Sequence, residues 1–264
     1  MTRSLENRVV IISGAAMGQG AAHAKLLSEA GASVLLGDIN QALGESVAQE
    51  IRDSGGKAQF VKLDVSKADD WERAVKAAHD AFGPVTGLVN NAGISVKGTV
   101  LDCEDEVWQK VISVNQTGVF YGMRTVAPAI IAAGGGAIVN TSSTLGFHAS
   151  PVAFAYQATK GAVRTMTKSA ALALGVHGVR VNAVFPGLVD TPFIDGHRNN
   201  TGLDDSIGRT PLGRIAQPSE ISQAVLFLLS DDASYVNGSE LVVDGGMTAG
   251  SLGSLTPITA KDAS

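Results

Sequence analysis

Short apolar runs rich in β-branched residues recur along the chain, and each is followed by a longer stretch whose apolar positions carry helical spacing. Residues 8–13, 33–38, 58–63, 87–90, 137–141, 180–185 and 240–243 read as seven strands. Between them, residues 21–30, 41–54, 67–82, 104–133, 154–176 and 217–230 read as helices. Strand-helix alternation predicts a parallel sheet covered on both faces. No Pro/Ser-rich linker, charge block or internal repeat interrupts the series, so the expected fold is a single doubly wound α/β domain, Rossmann-like, over residues 1–248. Residues 188–217 form the one long stretch without periodicity, and loops of that length in compact domains serve function or lack order. The Ser-, Thr- and Gly-rich residues 249–264 read as a C-terminal tail, disordered or packed on a partner subunit.

Composition narrows the function. The formal charge of −5, with no cluster of Lys and Arg, excludes a nucleic-acid surface, which needs cations to replace phosphate counterions. The apolar run Val9-Val10-Ile11-Ile12 is too short for a signal-peptide core or a membrane span. A lone cysteine, Cys103, cannot form an internal disulfide and fits a reducing compartment, so a cytoplasmic protein is expected. The histidines lack metal-ligand spacing, and no catalytic metal is expected.

The 31 glycines fall mostly after apolar runs. Directly after the first strand comes Gly14-Ala15-Ala16-Met17-Gly18-Gln19-Gly20, opening a helix. Glycines let a backbone bend towards a pyrophosphate, whose charge is favourable at a helix N-terminus. Asp38 ends the second strand, 24 residues after Gly14, where an acidic side chain accepts hydrogen bonds from a ribose. A 2′-phosphate there would meet like charge, and Met17 and Ile39 offer no cation, so NAD is expected rather than NADP.

Tyr156 and Lys160 stand four residues apart, on one face of a predicted helix. A free phenol, with a pKa near 10, exchanges protons poorly at neutral pH. A neighbouring ammonium favours the phenolate and is expected to pull the Tyr156 pKa down towards the working range. Ser143 would hold the same substrate oxygen.

Together with Asp64-Val65, Asn90-Asn91-Ala92-Gly93, Asn115, Pro186-Gly187 and Val243-Asp244-Gly245-Gly246, these residues give the chain a resemblance to the short-chain dehydrogenase/reductase family over residues 7–247. The resemblance implies that Tyr156 is the general acid/base, that Lys160 holds the nicotinamide ribose and that Ser143 polarises the substrate oxygen. It also implies that Asn115 supports a water between Lys160 and solvent. The implied cofactor contacts are Gly14, Met17, Gly18, Gln19, Gly20, Asp38 and Ile39, then Asp64 and Val65 at the adenine. They continue with Asn91, Ala92, Gly93, Tyr156, Lys160, Pro186 and Gly187, and end with Val189 and Thr191 at the carboxamide. The family usually has Thr where this chain has Ser13. A homotetramer built on the helices at 104–133 and 154–176 is implied as well.

The expected pocket walls come from Ser95 and Val96, from Leu145, Phe147, His148 and Pro151, and from Gly187 and residues 188–217, including Phe193, Ile194 and His197. Their apolar character suggests an apolar secondary alcohol or ketone, and the resemblance implies a steroid or a smaller cyclic, terpenoid or aromatic alcohol. The stretches Gly118-Val119-Phe120-Tyr121-Gly122-Met123, Thr210-Pro211-Leu212-Gly213-Arg214 and Leu229-Ser230-Asp231-Asp232-Ala233-Ser234-Tyr235-Val236 are similar to bacterial NAD-linked 3α/20β-hydroxysteroid dehydrogenases. Two alternatives share the scaffold: a 3-oxoacyl carrier-protein reductase and a non-catalytic dinucleotide-binding protein.

Overall fold

The computed structural model describes residues 4–194 and 206–250, so His197, the middle of the 188–217 loop and residues 251–264 of the tail lie outside the described residues. Seven parallel strands form one sheet in the order β3-β2-β1-β4-β5-β6-β7. In chain order they are β1 (Val9–Ser13), β2 (Ser33–Asp38), β3 (Lys57–Lys62), β4 (Gly87–Asn90), β5 (Gly136–Thr141), β6 (Val179–Pro186) and β7 (Glu240–Val243). The helices are α1 (Gly18–Glu29), α2 (Gln41–Asp53), α3 (Ala68–Phe82), α4 (Asp105–Ile112), α5 (Gly118–Ala132), α6 (Phe154–Gly175) and α7 (Pro218–Leu229). Strand ends differ from the expected ones by a residue, because hydrogen bonding to a neighbour, rather than apolar content, decides where a ladder stops.

Side chains alternate across each strand, and the two sets fill two cores. Val10, Ile12, Val34, Leu36, Val89, Val139 and Val184 pack on one face with Leu27 of α1 and Val225 and Leu228 of α7. Ile11, Leu35, Leu88, Ile138 and Val181 pack on the other with Trp71 of α3, Val126 and Ile130 of α5 and Val163 of α6. Each fully buried Ile or Leu contributes about 1.5–3 kcal/mol, so these two layers fix the sheet.

Local chemistry sets the helix boundaries. The Asn40 side chain accepts from Leu43 N–H at 3.2 Å and starts α2. Gly83, with φ +92°, ends α3. Pro218 at the first turn and a Gln217–Glu220 capping box start α7. The single helix expected over 104–133 is instead two helices joined by a π-helical segment, Ser113–Thr117. The wider turn carries Asn115, whose amide pairs with the main chain of Ile94 rather than staying on the helix surface.

Because β1 connects outward to β2 while the chain returns to β4 on the other side, a crevice opens at the carboxyl ends of β1 and β4. Buried amides tie its floor to α6. Asn90 Nδ2 donates to Asn140 Oδ1 at 2.9 Å, and Asn140 Nδ2 donates to Thr167 Oγ1 at 2.9 Å. The long loop is pinned at its base, where Ala216 N–H donates to Leu188 O at 2.9 Å and Asp190 N–H donates to Ala216 O at 2.8 Å.

Candidate active site

The glycine loop is held by its neighbours across the sheet. Ser13 Oγ accepts from the N–H groups of Asn91 at 3.1 Å and Ala92 at 3.2 Å, so a serine hydroxyl suffices where the family usually has threonine. Asn91 Nδ2 donates to Ser13 O and Gly14 O at 3.1 and 3.2 Å. Gly14 has φ +66°, and a Cβ there would stand 2.8 Å from Ala92 Cα. At Gly20 a Cβ would stand 2.0 Å from Gly14 O, so only glycine permits this turn. Gly18 faces Thr191, which is buried, at 3.3 Å from a would-be Cβ. The first and last segments of the expected cofactor contacts thus meet in space. No side chain caps the N-terminus of α1, so its first N–H groups remain available to an anion.

Asp38 lies beside this loop, with Oδ2 accepting from Ala16 N–H at 3.0 Å and Oδ1 from Asn40 N–H at 2.9 Å. Ile39, 67% exposed, and Met17 present no charge next to it. The carboxylate of Asp64 accepts from Ser66 N–H at 3.1 Å and from its hydroxyl at 2.6 Å. Burial alone would raise that carboxyl, but Ser66 and the Lys67 ammonium outweigh it and hold the group below its usual range. Val65, the neighbour of Asp64 among the expected adenine contacts, has a buried side chain. It packs against Gly118, and its carbonyl accepts from Trp71 Nε1 at 3.1 Å. Gly187 abuts Asp244, whose carboxylate accepts from Gly246 N–H at 2.9 Å and from the Thr248 hydroxyl at 2.6 Å. Pro186 ends β6 beside them, and Val189 is buried just beyond.

Tyr156, Lys160, Ser143 and Asn115 converge at the carboxyl end of β5. Lys160 Nζ lies 5.6 Å from the centre of the Tyr156 ring and donates to Thr141 O at 2.7 Å. Lys160 is 3% exposed and belongs to no ion pair among the described residues. Burial therefore lowers its pKa to about 8. A Cβ on Gly93 would stand 3.7 Å from Lys160 Nζ and 3.4 Å from Asn115 Oδ1, so Gly93 keeps this corner open. Both ends of the Asn115 amide are engaged: Oδ1 accepts from Ile94 N–H and Nδ2 donates to Ile94 O, each at 2.8 Å. Asn115 Nδ2 also donates to Thr159 Oγ1 at 3.2 Å, and the Thr159 hydroxyl donates to Tyr156 O at 2.7 Å. Asn115 thus positions the 93–94 backbone and the first turn of α6.

The Tyr156 phenol corrects one expectation. Burial pushes it up to about 12, opposed by the hydrogen bond with Ser143, whereas a downward pull from Lys160 was expected. The Lys160 ammonium sits near the ring, but burial decides the direction of the shift and Ser143 is the group that opposes it. Tyr156 as a residue is only half-buried.

The expected substrate walls separate into two groups. Phe193, 47% exposed, stands beside the Tyr156 ring, with ring centres 5.8 Å apart. Ser143 Oγ accepts from Leu145 N–H at 3.1 Å, which fixes the Leu145 main chain beside Ser143. Phe147 turns instead towards Phe185, 5.2 Å between ring centres, with the Arg164 guanidinium 5.8 Å from its ring. Leu145, Phe147 and His148 share a cleft of about 390 Å³ with Phe154 and Gln157, and neither Tyr156 nor Ser143 lines it. Ser95, His148 and Pro151 are exposed, Val96 is half-buried, and Ile194 is buried. Gln157 was missed by sequence reasoning. Its Oε1 accepts from Ser150 N–H at 2.8 Å and pins this wall, and its position directly after Tyr156 was the available signal.

A family model described as enoyl-(acyl carrier protein) reductase matches residues 14–248. The chain is 45% identical to a cyclopentanol dehydrogenase of Comamonas testosteroni over 93% of this chain and 98% of that protein. It is 44% identical to a 3-alpha-(or 20-beta)-hydroxysteroid dehydrogenase of Mycobacterium tuberculosis over 95% of this chain and 93% of that protein. It is 41% identical to a 2,5-dichloro-2,5-cyclohexadiene-1,4-diol dehydrogenase of Sphingobium indicum, covering 95% of this chain and all of that protein. With a glycine loop after β1, a Tyr-Lys pair on α6 and Ser143 beside it, the chain belongs to the short-chain dehydrogenase/reductase family, a family of oxidoreductases.

Proposed function

We propose that this protein is an NAD-dependent dehydrogenase acting on the CH–OH group of a secondary cyclic alcohol, or on the matching ketone. The observation that carries the reading is the convergence of the Tyr156 hydroxyl, Ser143 and Lys160 on one face of the crevice, roofed by Phe193. Bound NAD supplies the hydride acceptor, which no side chain of this protein could supply. Tyr156 Oη takes the alcohol proton during oxidation and returns it to the ketone oxygen during reduction. Ser143 Oγ fixes that oxygen next to the phenol. Lys160 holds the ribose and is the cation nearest the ring, so its charge favours the phenolate. Asn115 keeps Ile94 and Thr159 in place around them and leaves the Ile94 carbonyl engaged on its amide side.

The dinucleotide fits the residues present. Gly14, Gly18 and Gly20 let the loop pack its backbone closely against Ala92, Thr191 and itself, so no side chain stands between the loop and a bound pyrophosphate, and the start of α1 is left without a side-chain cap. Asp38, beside uncharged Ile39 and Met17, supports NAD over NADP. Asn91, Ala92, Gly93, Gly187, Val189 and Thr191 complete the floor.

The relatives bear the names of cyclopentanol, cyclohexadiene-diol and hydroxysteroid dehydrogenases, which supports a ring-bearing alcohol as the substrate class. Leu145, Phe193 and Ile194 supply apolar walls for it. The net charge of −5 weighs against docking of an acidic carrier protein. No described helix is long and apolar enough to cross a membrane, which accords with a cytoplasmic location. A homotetramer built on α4, α5 and α6 accords with the exposure of Phe120, Leu172 and Val176 on them.

The test is a fluorescence titration with NADH and NADPH, followed by turnover of cyclopentanol, cyclohexanol and a 20β-hydroxysteroid. NADH should bind at least tenfold tighter, and a ring alcohol should be oxidised fastest. Tighter NADPH binding would overturn the Asp38 argument, and turnover of straight-chain alcohols alone would overturn the substrate class.

A further inference from the structure

Two buried side-chain atoms on α1 have no hydrogen-bond partner: Gln19 Oε1 and His23 Nε2. The residues are one turn apart, and helical side chains lean towards the N-terminus, so the His23 ring leans over the turn that carries Gln19. His23 is fully buried, with Nδ1 at 2.7 Å from Ser222 Oγ on α7. The Ser222 hydroxyl donates to Pro218 O at 3.0 Å, so the hydrogen between ring and serine sits on Nδ1. Nε2 then carries a lone pair and no proton. Burial lowers the His23 pKa to about 3, which keeps the ring neutral in any ordinary buffer.

Gln19 Oε1 is an acceptor too. Two buried acceptors cannot satisfy each other, and each left unpaired is costly. Residues one turn apart stand about 5–6 Å apart at Cβ. A water molecule has two O–H donors, each reaching an acceptor about 2.8 Å away. It matches this pair in number and in polarity.

We infer that one buried water bridges Gln19 and His23, and that through it both act as positioning residues that tie the dinucleotide loop to α7. The connection runs from Pro218 O through Ser222 and His23 to the water and Gln19. It joins the Gly14–Gly20 turn to the helix that follows residues 206–217. Its effect on cofactor binding rests on the dinucleotide reading given above.

A high-resolution crystal structure of the unaltered protein tests the water directly. A peak within about 3.2 Å of both Gln19 Oε1 and His23 Nε2 is expected, and a dry gap, or Gln19 turned to another partner, overturns the inference. Gln19→Leu and His23→Phe, made singly and together, test the coupling. Each should weaken NADH binding about five- to tenfold, the pair no more than the worse single change, and the melting temperatures should be non-additive in the same way. For His23→Phe, KM for NAD should rise while kcat at saturating NAD holds within about twofold, and His23→Gln, which keeps a terminal acceptor, should recover most of the loss. Additive losses, or a fall in kcat with KM unchanged, would overturn the positioning role. Should neither dinucleotide bind, the proposed function fails, while the crystallographic peak and the melting cycle still decide the bridge.

Discussion

The floor of the crevice and its outer wall are built by different means. The floor is main chain held at short range: Gly14 and Gly20 against their neighbours, Ser13 and Asn91 locking β1 to β4, and Asp38 bonded to Ala16 and Asn40. The wall is side chain on loops: Phe193 half-exposed over Tyr156, Leu145 beside Ser143, and Phe147 turned away onto Phe185. A floor of backbone contacts tolerates almost no change, because each added atom meets a neighbour that cannot move. A wall of exposed side chains tolerates many. One scaffold can therefore keep its cofactor while relatives of similar sequence bear the names of ring alcohols as different in size as cyclopentanol and a steroid.

The sharpest break of this contrast is Tyr156→Phe, which removes the proposed proton carrier and leaves the floor alone. Turnover should fall at least about a thousandfold, while the NADH dissociation constant from fluorescence titration stays within about twofold. A retained rate would remove Tyr156 from the chemistry. Next in size is Gly20→Ala on the floor. A methyl 2.0 Å from Gly14 O must displace the turn. Stability should drop by about 2–3 kcal/mol in urea unfolding, and NADH binding should weaken by about a hundredfold. An unchanged affinity would show that the turn has slack.

The pH profile probes the junction between floor and wall. In the proposed mechanism Lys160 must be charged to hold the ribose and to favour the phenolate, and its pKa is lowered to about 8. The cation is present below that value and lost above it, so reductive kcat/KM should be level from about pH 6 to 8 and then fall about tenfold per unit. A limb that begins near pH 10 would mean that the amine is better solvated than its burial implies. The smallest effect belongs to the wall. Phe193→Ala should raise KM for a ring alcohol about fivefold, as expected for the loss of a half-exposed aromatic contact, with NADH affinity unchanged. A matching loss of NADH binding would place Phe193 on the floor instead.

The alternation of apolar runs and helical spacing determined the seven-stranded parallel sheet, and the ordered motifs located Gly14, Asp38, Ser143, Tyr156 and Lys160 by number. Those features are legible because local periodicity and glycine placement reflect constraints within a few residues of each other. The break of the 104–133 helix at Asn115, the turn of Phe147 towards Phe185, the burial of Val65 and the raised Tyr156 phenol were decided only in the tertiary structure. Each depends on what a distant segment places alongside: Ile94 for Asn115, β6 for Phe147, Gly118 for Val65, and for Tyr156 the burial of the phenol beside Ser143. Sequence spacing names the partners of a charge, but desolvation is set by everything packed around it, and only the folded chain supplies that.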